Sequence, residues 1–282
     1  AIIALCSASN LVFALSGEDE FRKAAESEYA KSSSGKCIEK YPCFIAKTDY
    51  PEKHEETSPL PWSGIDFKQK PKEYMSTVLD YVVEGNADVD WNLQDNKVRS
   101  WYHAPWMHQQ REPIKGLTRE RGSRWHELSQ NQTRRTNNWA VGFYNHNGGA
   151  AFGKVWKNKS RPNSSDAMFP VGTVSAKLLF TDATDEEAPY LKGNNLVWAA
   201  DINGDGKPVN LRLLQMDIAI KEKEGVSVSG WVFGTFVFDG AKGSNLYWKN
   251  LVPVGLEWGN STSHNWQDFV AGKKPIESWV NP

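Results

Sequence analysis

The sequence predicts a mainly β protein, an antiparallel β-sandwich or open barrel with one or two N-terminal helices. After about residue 97 the chain breaks into short β-prone apolar runs separated by Gly, Asn, Asp and Pro, as strands joined by turns require. The 13 Trp, 9 Tyr and 12 Phe residues supply much of the core volume. A chain of 282 residues can form one main β domain with an added N-terminal segment.

The N-terminal segment is predicted to span residues 1–60, and the β-rich domain residues 61–282. Residues 1–16 are almost uncharged, but they are fewer than the roughly 20 apolar residues of a transmembrane helix. They resemble the hydrophobic part and small-residue end of a secretory signal. A buried strand or helix and a lipid anchor on Cys6 are the alternatives. Residues 17–60 are polar and become proline-rich, which predicts a short helix followed by a tether.

The export-like N-terminus predicts a secreted or periplasmic protein, and the cysteine and charge content bear on its disulfide and its partners. Cys37 and Cys43 are close enough in sequence to form a disulfide in an oxidising compartment. The 33 Lys and Arg residues balance 34 Asp and Glu, so no global positive field would attract nucleic acid or an anionic membrane. We therefore expect a small molecule or a protein as partner, no nucleic acid and no transmembrane span.

The main domain is predicted to begin with a helix and to continue as strands. Apolar residues from Tyr74 to Val82 recur at helical spacing, Pro71 suits a first turn and Gly85 can end the helix, which gives a helix at about 71–84. The clearest strand segments are residues 137–145, 150–156, 172–180, 209–221, 230–240 and 250–258.

The segment 230–240 alternates between two apolar faces. Trp231 and Phe233 lie on one face, and Val232 and Phe236 on the other. This pattern predicts a central strand that is covered on both faces. Antiparallel strands of this kind favour a sandwich or an open barrel.

The residues best suited to bind a ligand are concentrated between residues 101 and 144. Aromatic rings can stack on a planar ligand, histidines can hydrogen-bond, and arginine can pair with an anion. The candidate ligand-binding residues are His103, Trp106, His108, Arg119, Trp125, Trp139 and Tyr144.

Two of these histidines also suggest a metal site. His103 and His108 are five residues apart with a proline between them, unlike the pair four residues apart of a helical zinc site. A metal would need a third ligand, for which His126, Glu127 or His146 could serve. Hydrogen-bonded structural histidines are the alternative.

A cluster of arginines lies in the same region. Arg119, Arg121 and Arg124 can form a fork for a carboxylate or phosphate group. Salt bridges to Glu120 and Glu127 are the alternative.

Asp201, Asn203 and Asp205 copy the start of a calcium loop, in which alternate oxygen side chains face the cation. The bidentate Glu expected at the twelfth position is replaced by Arg212. Calcium binding and a plain Asn/Gly/Asp turn between strands are therefore both open.

Three segments in the second half of the chain carry an ordered set of motifs. FPVGTVSAKLLF is followed by LLQMDIAIKEKE and then by GWVFGTFVFDG. This order resembles the cytochrome P460 family, small extracytoplasmic β-rich haem proteins, over about 70 of the 282 residues. The matching residues are Phe169, Pro170, Gly172, Thr173, Lys177, Gly230, Trp231, Asp239 and Gly240.

The resemblance implies a β-rich extracytoplasmic fold and adds Lys177, which matches the family's strand lysine, to the candidate ligand-binding residues. The family attaches haem through a CxxCH motif near its C-terminus, whereas no cysteine follows Cys43 here. A covalent c-type haem is therefore not expected, and the identity of any cofactor stays open.

The first functional hypothesis is an extracytoplasmic binding or structural protein that holds a small ligand or partner in a site lined by aromatic, His and Arg side chains. P-loop, GxGxxG and GxSxG motifs are absent from the sequence. An enzyme is the alternative: a haem- or metal-dependent oxidoreductase with His103 or His108 as ligand, or a carbohydrate-active enzyme with a Glu and Asp pair. A third hypothesis is an assembly protein that docks through residues 17–60.

Overall fold

The fold is built on one β-sheet in which every strand pairing is antiparallel. The computed structural model describes residues 37–55, 59–104, 111–158, 161–223, 227 and 229–282. The strands are β1 (Trp101–His103), β2 (Thr118–Glu120), β3 (Asn138–Asn145), β4 (Val174–Thr181), β5 (Val197–Ala200), β6 (Val209–Lys221), β7 (Trp231–Phe238), β8 (Leu251–Glu257) and β9 (Ser278–Val280). The helices are α1 (Pro71–Val83), α2 (His146–Val155) and α3 (Trp266–Val270). The predicted mainly β fold class is confirmed.

The strands follow the order β1-β3-β4-β6-β7-β8-β9 across the sheet. β2 pairs with the start of β3, and β5 forms a hairpin with the start of β6. Within the described part of the chain β1 and β9 do not pair with each other, so the sheet is open. The register between β4 and β6 shifts beside Leu214, and this bulge lets Leu213 and Leu214 both be buried.

The helix predicted at 71–84 is confirmed as α1, and five of the six predicted strand segments form strands within a few residues of the predicted bounds. The prediction of a strand at 150–156 is wrong, because these residues belong to α2. The side chain of Asn145 accepts a hydrogen bond from the backbone N–H of Gly148 and caps this helix. A side chain at Gly149 would come within 2.5 Å of the Tyr102 ring, so the helix packs closely on β1.

One face of the sheet is covered by α1. The helix buries Tyr74, Met75, Val78, Leu79 and Val82 against the strands. At β7, a Cβ atom on Gly234 would lie 3.0 Å from the Met75 methyl group. A residue without a side chain therefore lets the helix rest directly on the middle of the sheet.

The prediction that the strand at 230–240 is covered on both faces is wrong. β7 is central, between β6 and β8, and its Val232, Gly234, Phe236 and Phe238 side is buried. The opposite side is only partly covered, and Phe233 is 47% exposed. Alternating apolar residues thus mark a central strand here, but one of its faces stays open to solvent.

Residues 37–55 lie along the edge of the sheet. The predicted disulfide between Cys37 and Cys43 is present. Lys47 pairs with β1 through its carbonyl, which accepts the N–H of His103, and Phe44 donates its N–H to the carbonyl of Pro113. The predicted export segment at 1–16, including Cys6, lies outside the described residues. No helix in the described part of the chain has both the length and the apolar character needed to span a bilayer.

Candidate functional site

A cavity of about 310 Å³ lies between the disulfide-bonded segment, the turn after α1 and the end of β3. Such a volume is at the lower end of the range for ligand pockets. Four aromatic side chains, Phe44, Trp91, Phe143 and Trp198, contribute to its lining. His103 is part of the lining as well, so one predicted ligand-binding residue lies in this cavity.

His103 is held at the cavity by contacts on several sides. It is 2% exposed, and its ring lies 5.0 Å from that of Phe44 and 5.5 Å from that of Phe143. The N–H of Lys47 donates to Nδ1 at 2.9 Å, and the Tyr50 hydroxyl donates to the backbone carbonyl of His103 at 2.6 Å. These contacts fix the orientation of the imidazole.

The environment of His103 keeps its imidazole neutral. Burial lowers the pKa of His103 well below its usual value, and the charges of Arg111 and Lys47 lower it further. Because Nδ1 accepts a hydrogen bond, the single proton of the neutral ring is on Nε2. Among the described residues Nε2 has no hydrogen-bond partner. Within the part of the chain that the structure describes, His103 therefore has one N–H group without a partner, and the residue lines the cavity.

A strained turn forms another wall of the cavity. Asp90 and Trp91 have φ values of 47° and 60°, in the left-handed region that bulky residues rarely occupy. Such a conformation costs about 1–2 kcal/mol per residue. It is held by a hydrogen bond from the N–H of Trp91 to the carbonyl of Asn86 and by packing of the indole on Phe143 and Trp248. Backbone strain of this kind concentrates at binding and catalytic sites.

The Trp91 indole provides a second buried donor. Its Nε1 is inaccessible to solvent and has no hydrogen-bond partner among the residues that the structure describes. An unpaired buried donor costs roughly 1–3 kcal/mol. The cavity is thus lined by two residues whose N–H groups are unpaired in the described part of the protein.

The rim of the cavity carries a charged pair. Asp90 accepts a hydrogen bond from the Trp198 indole at 2.9 Å and forms an ion pair with Lys115. The Lys115 ammonium also lies 4.7 Å from the centre of the Trp198 ring. The two charges neutralise each other, so the rim has no net charge from this pair.

Glu112 positions the part of the rim that carries Lys115. It is 7% exposed, and its carboxylate accepts the backbone N–H groups of Ile114, Lys115 and Leu117 as well as that of Asp201. Burial raises the pKa of Glu112, whereas these four hydrogen bonds oppose the rise. This side chain fixes the turn at 113–117 and ties it to the end of β5.

Three further predicted site residues that the structure describes do not belong to the cavity lining. Trp139 is buried on β3, four residues or roughly 13 Å along the strand from Phe143. Arg119 is exposed and donates to the side chain of Asn137 at 2.7 Å. Trp125 is 65% exposed. Trp106 and His108 lie outside the described residues.

Tyr144 and Lys177 lie on the opposite face of the sheet. Tyr144 follows Phe143 on β3, so its side chain points away from the cavity. On that opposite face its ring packs against Phe152 and Phe169. Lys177 pairs in register with Gly142 and forms an ion pair with Asp217 at 3.4 Å. The structure therefore separates these two residues from His103.

The arginine cluster forms a salt bridge. Arg121 donates to both carboxylate oxygens of Glu127 at 3.0 Å, and the backbone N–H of Arg124 donates to the same carboxylate at 2.7 Å. The hydrogen bond from Arg124, followed by that from Arg121, lowers the pKa of Glu127. This carboxylate is thus occupied by neighbouring groups.

The calcium-like segment forms the turn between β5 and β6. Both carboxylate oxygens of Asp201 accept backbone hydrogen bonds, from Asp205 at 3.2 Å and Gly206 at 3.1 Å. Asp205 in turn accepts the N–H of Lys207. Asn203 lies in the same turn. Over all described residues, no group of three or more His, Cys, Asp and Glu side chains is arranged to hold a metal ion.

Several cavity residues were not among the sequence-predicted candidates. Asp90 and Trp91 follow the predicted helix, and Phe44 lies in the segment predicted to be a tether. Asp is one of the few residues that tolerates the left-handed conformation, but a single Asp-Trp pair is too common to mark a site. Comparison with protein-family models, curated proteins and solved structures finds no match to this chain.

Proposed function

We propose that this is an extracytoplasmic binding protein that holds a small molecule in the cavity beside His103. The observation that carries the proposal is the neutral, buried imidazole, whose Nε2–H has no partner among the described residues while the opposite nitrogen is fixed by Lys47. A donor held in place before the ligand arrives lowers the ordering cost of binding.

The surroundings of the imidazole support the same function. The cavity combines aromatic walls with few polar groups, which is typical of small-molecule sites. The strained turn at Asp90 and Trp91 costs folding free energy without adding a regular element, which is expected where a side chain is held for binding. The extracytoplasmic location is supported by the Cys37–Cys43 disulfide, since such bonds persist in oxidising compartments.

A library of small aromatic and aliphatic fragments tests the proposal. Binding is followed by two-dimensional NMR of the ¹⁵N-labelled protein, in which the indole N–H signals of Trp91 and Trp198 report on the cavity. We expect several fragments to shift these signals and to compete with one another.

A cavity-filling variant provides the control. Val89 lines the cavity, so Val89→Phe should abolish fragment binding. Val209→Phe makes the same substitution at a partly exposed strand position outside the lining and should leave binding unchanged. Fragments that shift no cavity signal in the wild-type protein, or that bind Val89→Phe equally well, would show that the cavity is not a binding site.

A further inference from the structure

The polar groups of the cavity indicate what kind of ligand it takes. His103 lines the cavity, and its Nε2–H has no partner among the described residues. Trp91 lines the cavity as well, but its indole Nε1 is inaccessible to solvent, so His103 is the donor that a ligand would meet. A ligand that supplies an acceptor oxygen would give the Nε2–H of His103 a hydrogen-bond partner.

The charges near the cavity disfavour a cation. Arg111 and Lys47 lower the pKa of His103 and so oppose positive charge at that end of the cavity, although Lys47 also forms an ion pair with Asp49 at 3.1 Å. At the rim, Asp90 is already paired with Lys115. Asp95 also belongs to the lining, but it is exposed and accepts a hydrogen bond from Asn92.

The size and the lining favour a flat ligand. The cavity volume of about 310 Å³ suits one substituted ring or two fused rings. Phe44, Trp91 and Phe143 surround the imidazole with aromatic surface, which attracts planar rings in stacked or edge-on arrangements.

We propose that the ligand is a small, planar, non-cationic aromatic molecule whose carbonyl or carboxylate oxygen accepts a hydrogen bond from Nε2 of His103. This inference rests on the binding function proposed above and specifies its ligand class. Recognition combines one hydrogen bond of fixed direction with ring contacts, so an acceptor without a flat ring, or a flat ring without an acceptor, binds less tightly.

Three probes of matched size test this inference on the full chain. Benzamide has both the ring and the acceptor, cyclohexanecarboxamide has the acceptor on a ring that is not planar, and benzylamine has the ring with a cation. Titrations follow the indole N–H signal of Trp91, which is assigned with Trp91→Phe. We expect benzamide to bind at least ten-fold more tightly than either of the other probes.

A substitution at His103 tests the hydrogen bond itself. In His103→Asn the side-chain oxygen can still accept the N–H of Lys47, while the donor at the Nε2 position is lost. We expect benzamide to bind this variant about five-fold less tightly. His126→Asn, at an exposed histidine with a φ of 62° that Asn tolerates, should bind as the wild type does. If His103→Asn does not fold, the comparison of the three probes decides whether the proposed ligand class is correct.

The outcomes separate this inference from the proposed function. If the Trp91 signal shows that cyclohexanecarboxamide or benzylamine binds as tightly as benzamide, the proposed ligand class is wrong. The cavity would still be a binding site. The proposed ligand class is also wrong if benzamide does not bind to a cavity that accepts other fragments. A cavity that accepts neither the probes nor any fragment would overturn both proposals.

Discussion

His103 shows how a single buried residue couples folding to pH. Its contacts with Phe44, Phe143 and the backbone of Lys47 require the neutral ring, and nearby cations penalise a second proton. In the unfolded chain the same side chain is hydrated and takes up a proton near pH 6.5. The unfolded state therefore binds more protons than the folded state over a window that begins near that pH and extends down to the lowered pKa of His103.

We expect His103 to reduce the stability of the protein as the pH falls below about 6.5. Folding lowers the pKa of His103, so its contribution to the free energy of unfolding is fully present above the unfolded pKa. This contribution is lost as the pH falls from the unfolded pKa to the folded pKa, and it does not change further below the folded pKa. The loss is at most about 1.4 kcal/mol per pH unit. Urea unfolding between pH 7.5 and pH 4.5 should show a shallower pH dependence for His103→Asn than for the wild type.

The comparison of slopes removes the effects of the carboxylates, which both proteins share. His126→Asn makes the same substitution at an exposed histidine and controls for the loss of one imidazole from the chain. Parallel stability curves for the wild type and His103→Asn would contradict the conclusion that the imidazole is kept neutral by folding.

At the scale of elements, local pattern predicts α1 and five strand segments because their apolar residues repeat with the period of each element. The same approach fails at α2, where β-prone residues follow a cap and two glycines that fit against Tyr144 and Tyr102. The cavity is harder still to predict, because Phe44, Trp91 and Trp198 come from distant segments. Among the sequence-predicted site residues that the structure describes, His103 alone lies in the lining.

Asn145 joins α2 to the sheet, and we expect Asn145→Ala to destabilise the protein by about 2–4 kcal/mol. Its side-chain oxygen accepts the N–H groups of Gly148 and Val174, while its amide donates to the carbonyl of Gly172 and to the Tyr81 hydroxyl. Removing the side chain deletes a helix cap and leaves buried groups without partners. The free energy of unfolding in urea measures the loss.

Asn265→Ala is the matched control for this cap. Asn265 caps the short, exposed helix α3 by accepting the N–H of Asp268. Its removal should cost no more than about 1 kcal/mol, because the groups that it leaves can bind water. Equal losses for the two variants would mean that the buried network around Asn145 adds nothing to an ordinary cap.

At the scale of the whole molecule, the sheet separates two different surfaces. Its covered face carries α1, the aromatic core and the cavity, whereas the other face exposes part of β7 and the ion pair between Lys177 and Asp217. The cavity is completed from outside the sheet by residues 42–45, which the disulfide and the hydrogen bonds of Phe44 and Lys47 hold in place. The site thus depends on a segment that contributes little to the core.

We expect loss of the disulfide to loosen the cavity without unfolding the sheet. The bond joins residues only six apart, and in the chain-entropy model a loop this short contributes about 2 kcal/mol. In Cys37→Ser/Cys43→Ser, hydrogen exchange followed by mass spectrometry should accelerate at residues 42–47, where the amides of Phe44 and Lys47 are hydrogen-bonded. Exchange in β4 and β6 should stay as slow as in the wild type, because the core of the sheet is unchanged. Cys6→Ser, which leaves the disulfide intact, should match the wild type throughout. Acceleration that extends equally into β4 and β6 would show instead that the disulfide supports the whole fold, and that the cavity and the sheet open as one unit.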